Sequence, residues 1–271
     1  MRTVALLLLA CGLRGAEAPR PRILGVAHVA VFVSDVARAR AFYTGYLGLA
    51  ELPLERAAGA PERLAVVRIN GRQFLELIAE APKQDGNLSH IAFQTDDAAA
   101  MRAWLAARGI DVPGALRKSR AGYTGFQFRD PDGHIVEMVQ YAAGARLEPM
   151  PEGRLFSRVG HIGILVRDSD RALAFYRGML GFQPASGGKL RVPEGEDCLE
   201  LGLNRKEPAP ERLNIKNHVC FDSRDVAAAV SALRAKSGAY EIEVHKTSTG
   251  RQAANLRDPD GARIEIMEPN Q

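Results

Sequence analysis

The sequence predicts an α+β fold built from four βαβββ units in two tandem copies, with helices packed on one face of curved sheets. Three recurring segments predict it. His28-Val-Ala-Val-Phe-Val-Ser-Asp35, with Phe42-Tyr43 and Leu47-Gly48 after it, returns as His161-Ile-Gly-Ile-Leu-Val-Arg-Asp168, Phe175-Tyr176 and Leu180-Gly181. His90-Ile-Ala-Phe93 returns as His218-Val-Cys-Phe221. Asp130-Pro-Asp-Gly133 with Glu137 returns as Asp258-Pro-Asp-Gly261 with Glu265. A repeat of this length signifies two copies of one fold unit.

Each unit reads in the same order. His28 opens an apolar run of strand length, Asp35 is a helix N-cap, and Ala39, Phe42, Tyr43 and Leu47 follow at helical spacing. Strand-like segments then lead to Phe74-Leu-Glu76-Leu-Ile78. The second unit starts at His90, its helix is capped by Asp97 and carries Met101, Trp104 and Leu105, and two strands flank Asp130–Gly133. That turn has a mechanism: Pro fixes φ, Asp bonds its own backbone, and Gly takes positive φ. The first copy spans residues 23–141 and the second 158–269, joined by a Pro/Gly-rich linker over 142–157. A chain of 271 residues accommodates two such domains.

Strand alternation sorts the faces. His28, Ala30 and Phe32 share one face, and Val29, Val31 and Val33 the other. The valines suit the helical side, which leaves the histidine on the opposite one. Two residues after each repeated histidine stands a small residue, Ala30, Ala92, Gly163 or Cys220, expected to leave room for an ion and a ligand.

Acidic and basic residues are interspersed at a net charge of only +4, and no basic run carries interleaved aromatics, so nucleic acid is not an expected partner. The N-terminus differs from the rest. Met1-Arg2, the apolar stretch from Thr3 to Leu13, and Ala16-Glu17-Ala18 read as a signal peptide over residues 1–18, too short to span a bilayer. Leu8-Leu9-Ala10-Cys11 offers a lipoprotein signal as an alternative. The expected location is periplasmic or secreted. There a disulfide between Cys198 and Cys220 would be permitted if they lie close enough.

His-x-x-x-x-Val-x-Asp…Phe-Tyr…Leu-Gly and Asp-Pro-Asp-Gly-x-x-x-Glu, each present twice, resemble the vicinal oxygen chelate superfamily. That family includes glyoxalase I, methylmalonyl-CoA epimerase, extradiol ring-cleaving dioxygenases and the bleomycin- and fosfomycin-resistance proteins. The resemblance covers nearly all of the chain after the N-terminal segment. It implies paired units curled into half-barrels around a divalent metal. The ligand positions it implies fall on His28, Glu76, His90 and Glu137 in the first copy, and on His161, Glu200, His218 and Glu265 in the second. Imidazole and carboxylate together suit Zn, Ni, Co, Mn or Fe(II). Two pairings stay open. Each copy closes on itself, as in the dioxygenases, or halves of different copies combine as His28/Glu76/His218/Glu265 and His161/Glu200/His90/Glu137, as in glyoxalases. If sites form within copies, Gly163, Cys198, Gly202 and Cys220 make the second roomier than the first, with its Ala30, Phe74, Ile78 and Ala92.

The resemblance implies three reaction classes. The leading expectation is a glyoxalase-like metalloenzyme that chelates vicinal oxygens of a small molecule, with Glu137 or Glu265 detaching as general base for proton transfer. The first alternative is an extradiol dioxygenase using Fe(II). The pattern departs from it where such enzymes have a Tyr three residues before Asp-Pro, because Gln127 and Asn255 stand there. His245 lies near the place of their acid–base histidine but reads as an ordinary exposed strand residue. The second alternative is a non-catalytic binding protein for a drug or metabolite. Tyr46, Tyr123, Arg120 and Lys246 are rim candidates that read more simply as solvated surface groups. The expected assembly is a monomer or homodimer with no membrane span.

Overall fold

The structure, a computed structural model, describes residues 18–55, 59, 61–81, 86–145, 152–203, 217–238 and 240–269. All of the signal-peptide segment but Ala18, with Cys11, lies outside the described residues. Among them no helix is long and apolar enough to cross a membrane.

Two eight-stranded mixed sheets carry the fold. The first contains β1 (Ile23–Val33), β2 (Ala50–Leu52), β3 (Leu64–Arg68), β4 (Phe74–Ala79), β5 (Leu88–Thr95), β6 (Arg117–Lys118), β7 (Tyr123–Arg129) and β8 (Ile135–Tyr141), in the order β2-β3-β4-β1-β5-β8-β7-β6. The second contains β9 (Arg158–Val166), β10 (Gln183–Pro184), β11 (Leu190–Arg191), β12 (Cys198–Leu203), β13 (His218–Asp222), β14 (Glu243–Lys246), β15 (Gln252–Arg257) and β16 (Arg263–Met267), in the order β10-β11-β12-β9-β13-β16-β15-β14. In each sheet the two histidine strands pair antiparallel at the centre, and each is flanked by a parallel strand carrying a glutamate. The four candidate ligands of a copy therefore occupy four adjacent strands.

Helices α1 (Val36–Arg40), α2 (Ala98–Ala106), α3 (Ser169–Leu173) and α4 (Val226–Arg234) start at Asp35, Asp97, Asp168 and Asp225. Each cap carboxylate accepts a hydrogen bond from a first-turn N–H at 2.8–3.0 Å. The helical spacing after Asp35 and Asp168 proves to be two forms of helix. α1 and α3 each continue as a π-helix, Ala41–Tyr46 and Ala174–Met179. There Leu47 N–H reaches back to the Phe42 carbonyl and Leu180 N–H to that of Phe175, both at 2.9 Å. The Leu-Gly that follows is the helix stop: Gly48 and Gly181 both take φ +78, a left-handed conformation that costs glycine little.

These helices lock the two sheets together reciprocally. Tyr43 donates to Asp258 Oδ2 at 3.0 Å, and Tyr176 donates to Asp130 Oδ2 at 2.9 Å. Each copy's Asp-Pro-Asp-Gly turn is thus held by the other copy's Phe-Tyr helix. Phe42 and Tyr46 pack on Tyr240, while Phe175 packs on Phe128 and Phe182 on Phe93. Val29, Val31, Val33, Ile162, Ile164 and Val166 join these rings in one continuous core. Tyr46, read from sequence as a solvated rim group, is a buried member of it, because the helix turns it toward the opposite sheet.

The two turns differ electrostatically. At Asp130, burial raises the carboxyl, but the hydrogen bond and charge of His134 outweigh it and hold it below its ordinary value. At Asp258 the matching position is Ala262, and burial pushes the carboxyl up to about 6 against the backbone and Tyr43 hydrogen bonds.

Candidate metal centres

The histidines, on neighbouring strands, point to the concave side away from the helices, as alternation predicts. Ala30 is registered opposite His90, Ala92 opposite His28, Gly163 opposite His218, and Cys220 opposite His161. The small residues were expected to leave room for an ion. At Gly163 that room belongs to an imidazole instead: a Cβ there would lie 2.1 Å from His218 Cε1.

Both clusters form within one copy, which decides the pairing. In the first, His28 Nε2 and His90 Nε2 are 3.0 Å apart, and each is 3.2 Å from Glu137 Oε2. Glu76 Oε2 stands 3.7 Å from His90 Nε2, and Tyr123 donates to Glu76 Oε1 at 3.2 Å. In the second, His161 Nε2 and His218 Nε2 are 2.9 Å apart. Glu265 Oε2 lies 3.1 Å from the first and 3.6 Å from the second, and Glu200 Oε2 lies 3.4 Å from His161 Nε2. All eight sequence candidates are brought together, four and four.

The donor sets fit a divalent cation. Two imidazole nitrogens and a carboxylate oxygen gather in each, with Glu76 beside His90 in the first and Glu200 beside His161 in the second. Glu137 Oε2 is buried with the two imidazole nitrogens, each at 3.2 Å, beside it, a cluster of buried polar atoms that a cation would compensate. Burial raises Glu137 and Glu265, yet the hydrogen bonds and charges of the paired histidines bring both down to about 2. Glu200 is likewise lowered to about 2, chiefly by its hydrogen bond to His161. These carboxylates favour the charged form, the form that binds a cation.

The surroundings of the two centres differ. In the first, His28 stacks on Phe74, with centroids 4.6 Å apart, and Tyr123 lies beside it. In the second, Cys198 takes the place of Phe74 in register with the first histidine. His245 Nε2 stands 4.0 Å from Glu265 Oε1, Arg263 is 3.5 Å from the same atom, and Lys189 Nζ is 3.8 Å from Glu200 Oε2. Asn255 Nδ2 approaches His245 Nδ1 at 3.4 Å. Cys220 is a buried free thiol, raised well above its ordinary value by burial, and Cys198 is also free, so the two form no disulfide.

Two sequence readings are corrected here. Tyr123 is buried against the first centre, not solvated. His245, read as an ordinary exposed strand residue, is half-buried beside the second centre. Strand register held the signal for both. Tyr123 is opposite Tyr141, on the face of Glu137, while His245 is opposite Ala253, on the face of Asn255 and Glu265. Arg120 and Lys246 are exposed, as read. Lys189 and Arg263 carried no local signal.

Comparison with known proteins agrees with this architecture. The biphenyl-2,3-diol 1,2-dioxygenase of Paraburkholderia xenovorans (strain LB400) is 32% identical over 174 residues, 59% of this chain. The chain spans 56% of that relative's length. Homoprotocatechuate 2,3-dioxygenase from Arthrobacter globiformis superposes with a TM-score of 0.69 at 20% identity, over 94% of this chain and 82% of that one. The Mn(II)-bound glyoxalase from Novosphingobium aromaticivorans superposes with a TM-score of 0.68 at 19% identity, over 93% and 84%. At such identities these two show the shared fold. Residues 25–138 and 158–266 each match one family, and the chain belongs to it: the Glyoxalase/Bleomycin resistance protein/Dioxygenase superfamily, here with two tandem modules.

Proposed function

We propose that the second centre is the active site of an extradiol-type ring-cleaving dioxygenase acting on a catechol-like small molecule. One observation carries this reading: His161, His218 and Glu265 form a two-histidine, one-carboxylate set inside a single module, with His245 beside it. Such a set with open positions suits Fe(II). The similarity to a biphenyl-2,3-diol dioxygenase favours the same chemistry over the glyoxalase-like proton transfer that the sequence put first.

When bound there, Fe(II) supplies one-electron chemistry toward O2 and polarises the two phenolic oxygens. The residues of the chain do the rest. Lys189 and Arg263 offset the charge of Glu200 and Glu265, so a divalent ion leaves the centre net positive and suited to a catecholate. His245 presents Nε2 to the centre while Asn255 Nδ2 donates toward Nδ1 and Arg263 holds the Asn255 oxygen, so the neutral ring carries its proton on Nε2 and faces bound substrate or oxygen as a donor. Asn255 occupies the slot where the family pattern has a tyrosine, so it orients His245 and does not contribute a phenol. Both atoms of O2 enter the product as a carbon–carbon bond beside the diol breaks.

Glu200 favours a second reading, because it completes the two-His, two-carboxylate set of a glyoxalase-like isomerase. Its side chain is 39% exposed, and Lys189 offers it a partner other than His161, so it has room to swing out. The account predicts that Glu200→Gln changes catechol turnover by less than about tenfold. Loss of a general base would cost about 10²–10⁴-fold. A loss of that size, accompanied by isomerase activity in the wild type, would favour the second reading.

A further inference from the structure

We infer that the first centre is a closed structural site for a divalent cation, kept out of reach of substrate, so that the two modules divide stability and chemistry between them. The inference rests on the fit of the first cluster to a cation and stands whatever reaction the second centre carries out.

Closure is the first argument. His28 is fully buried against Phe74 and Tyr123, whose rings also meet each other at 6.2 Å. Tyr123 ties down Glu76 through its hydroxyl, and Tyr141 meets Tyr123 edge-on, with centroids 6.2 Å apart. The Glu76 side chain is 8% exposed, against 39% for its counterpart Glu200. A cavity of about 320 Å³ opens at the mouth of this half-barrel, walled by Leu52, Leu54, Arg72, Arg120 and Tyr141. Of its walls Tyr141 is the one that packs on Tyr123, and none of the four candidate ligands lines it. A molecule entering there meets Tyr141 and none of the four candidate ligands. Inside this half-barrel Ala27, Val66, Phe74, Ala92, Tyr123 and Val139 form a buried apolar cluster, whereas the described residues of the second contribute Cys220, Ala253 and Met267.

Charge is the second argument. Among the described residues, the only nitrogens within ion-pair distance of Glu76 and Glu137 are imidazole nitrogens. Two carboxylates and one divalent ion sum to zero, which is the state a buried site tolerates best. The second centre, with Lys189 and Arg263 added, keeps a positive charge that an anionic substrate completes. A neutral closed site has no electrostatic need of a substrate.

The test is metal release. The full chain is loaded anaerobically with Mn(II), its stoichiometry is measured, and it is then mixed with excess EDTA. Two equivalents are expected to leave in two phases, one at least about tenfold slower than the other, as a buried site exchanges through local opening. His90→Ala is expected to remove the slow phase and His218→Ala the fast one. In His218→Ala, Mn(II) is still expected to raise the melting temperature, because an ion bound only by the folded state stabilises it. If His90→Ala does not fold, Tyr123→Ala serves in its place and is expected to accelerate the slow phase. One common release rate would overturn the inference. So would a slow phase that survives in His90→Ala or is unchanged in Tyr123→Ala, or a single equivalent that His218→Ala abolishes.

Discussion

Replacing Gly163 with alanine will cost the protein one equivalent of bound metal and its catalytic activity. The added Cβ would lie 2.1, 2.3 and 2.9 Å from Cε1, Nδ1 and Nε2 of His218. No side chain keeps such separations, and β9 and β13 are paired in a buried sheet, so the ring has to turn away. A centre that loses a ligand binds its ion weakly. Loss of supporting groups alone costs about 10–100-fold in affinity, so displacement of a ligand should exceed about 100-fold. The other module supplies the control. There the residue opposite His90 is Ala30, which already carries a Cβ, so Ala30→Gly should leave metal content unchanged. Elemental analysis decides the matter: full stoichiometry in Gly163→Ala would show that His218 is not a ligand.

The second large effect concerns the joint between modules. Tyr43→Phe removes the hydroxyl that donates to Asp258, and Tyr176→Phe removes the one that donates to Asp130. A buried carboxylate left short of a partner costs about 1–3 kcal/mol, and the two sites are far enough apart for the losses to add. The pH dependence should differ between them. Burial raises Asp258 to about 6, so its ionisation costs stability as pH climbs from about 4 to about 6, and its protonated form prevails in the folded state below that. Without Tyr43 the charged form loses a donor, and its pKa rises further. The deficit of Tyr43→Phe should therefore be larger at pH 8 than at pH 5, as measured by urea unfolding. His134 supports Asp130 whether or not Tyr176 is present, so Tyr176→Phe should show a flatter profile. Equal deficits for Tyr43→Phe at both pH values would mean that Asp258 is not a titrating partner.

Much of this was legible in the chain because it is local or repeated. The doubled motifs gave two modules, the aspartates gave helix starts, and strand alternation put the first histidine on the face away from the helices, while the eight candidate ligands came from the family resemblance. The pairing of halves was not legible. His28 with His90 and His28 with His218 satisfy the same local pattern, and only the sheet order β1-β5 against β9-β13 separates them. The tyrosine–aspartate hooks escaped for a similar reason: Tyr43 and Asp258 meet through tertiary packing that no window of sequence contains. Tyr123 and His245 are a different case. Register carried outward from Glu137 and Glu265 puts both on the ligand faces, and judging them singly by average exposure hid that. The order of the reaction classes depended on what surrounds the ligands. Cys198 in place of Phe74, with Lys189 and His245 at the second centre, comes from strands whose alignment only the fold supplies.

The most direct test of the central claim is oxygen uptake by the anaerobically Fe(II)-loaded protein given biphenyl-2,3-diol and air-saturated buffer. The account predicts that one O2 disappears per diol consumed and that His218→Ala abolishes the uptake. No uptake across a panel of catechols, or uptake that His218→Ala leaves intact, would contradict it.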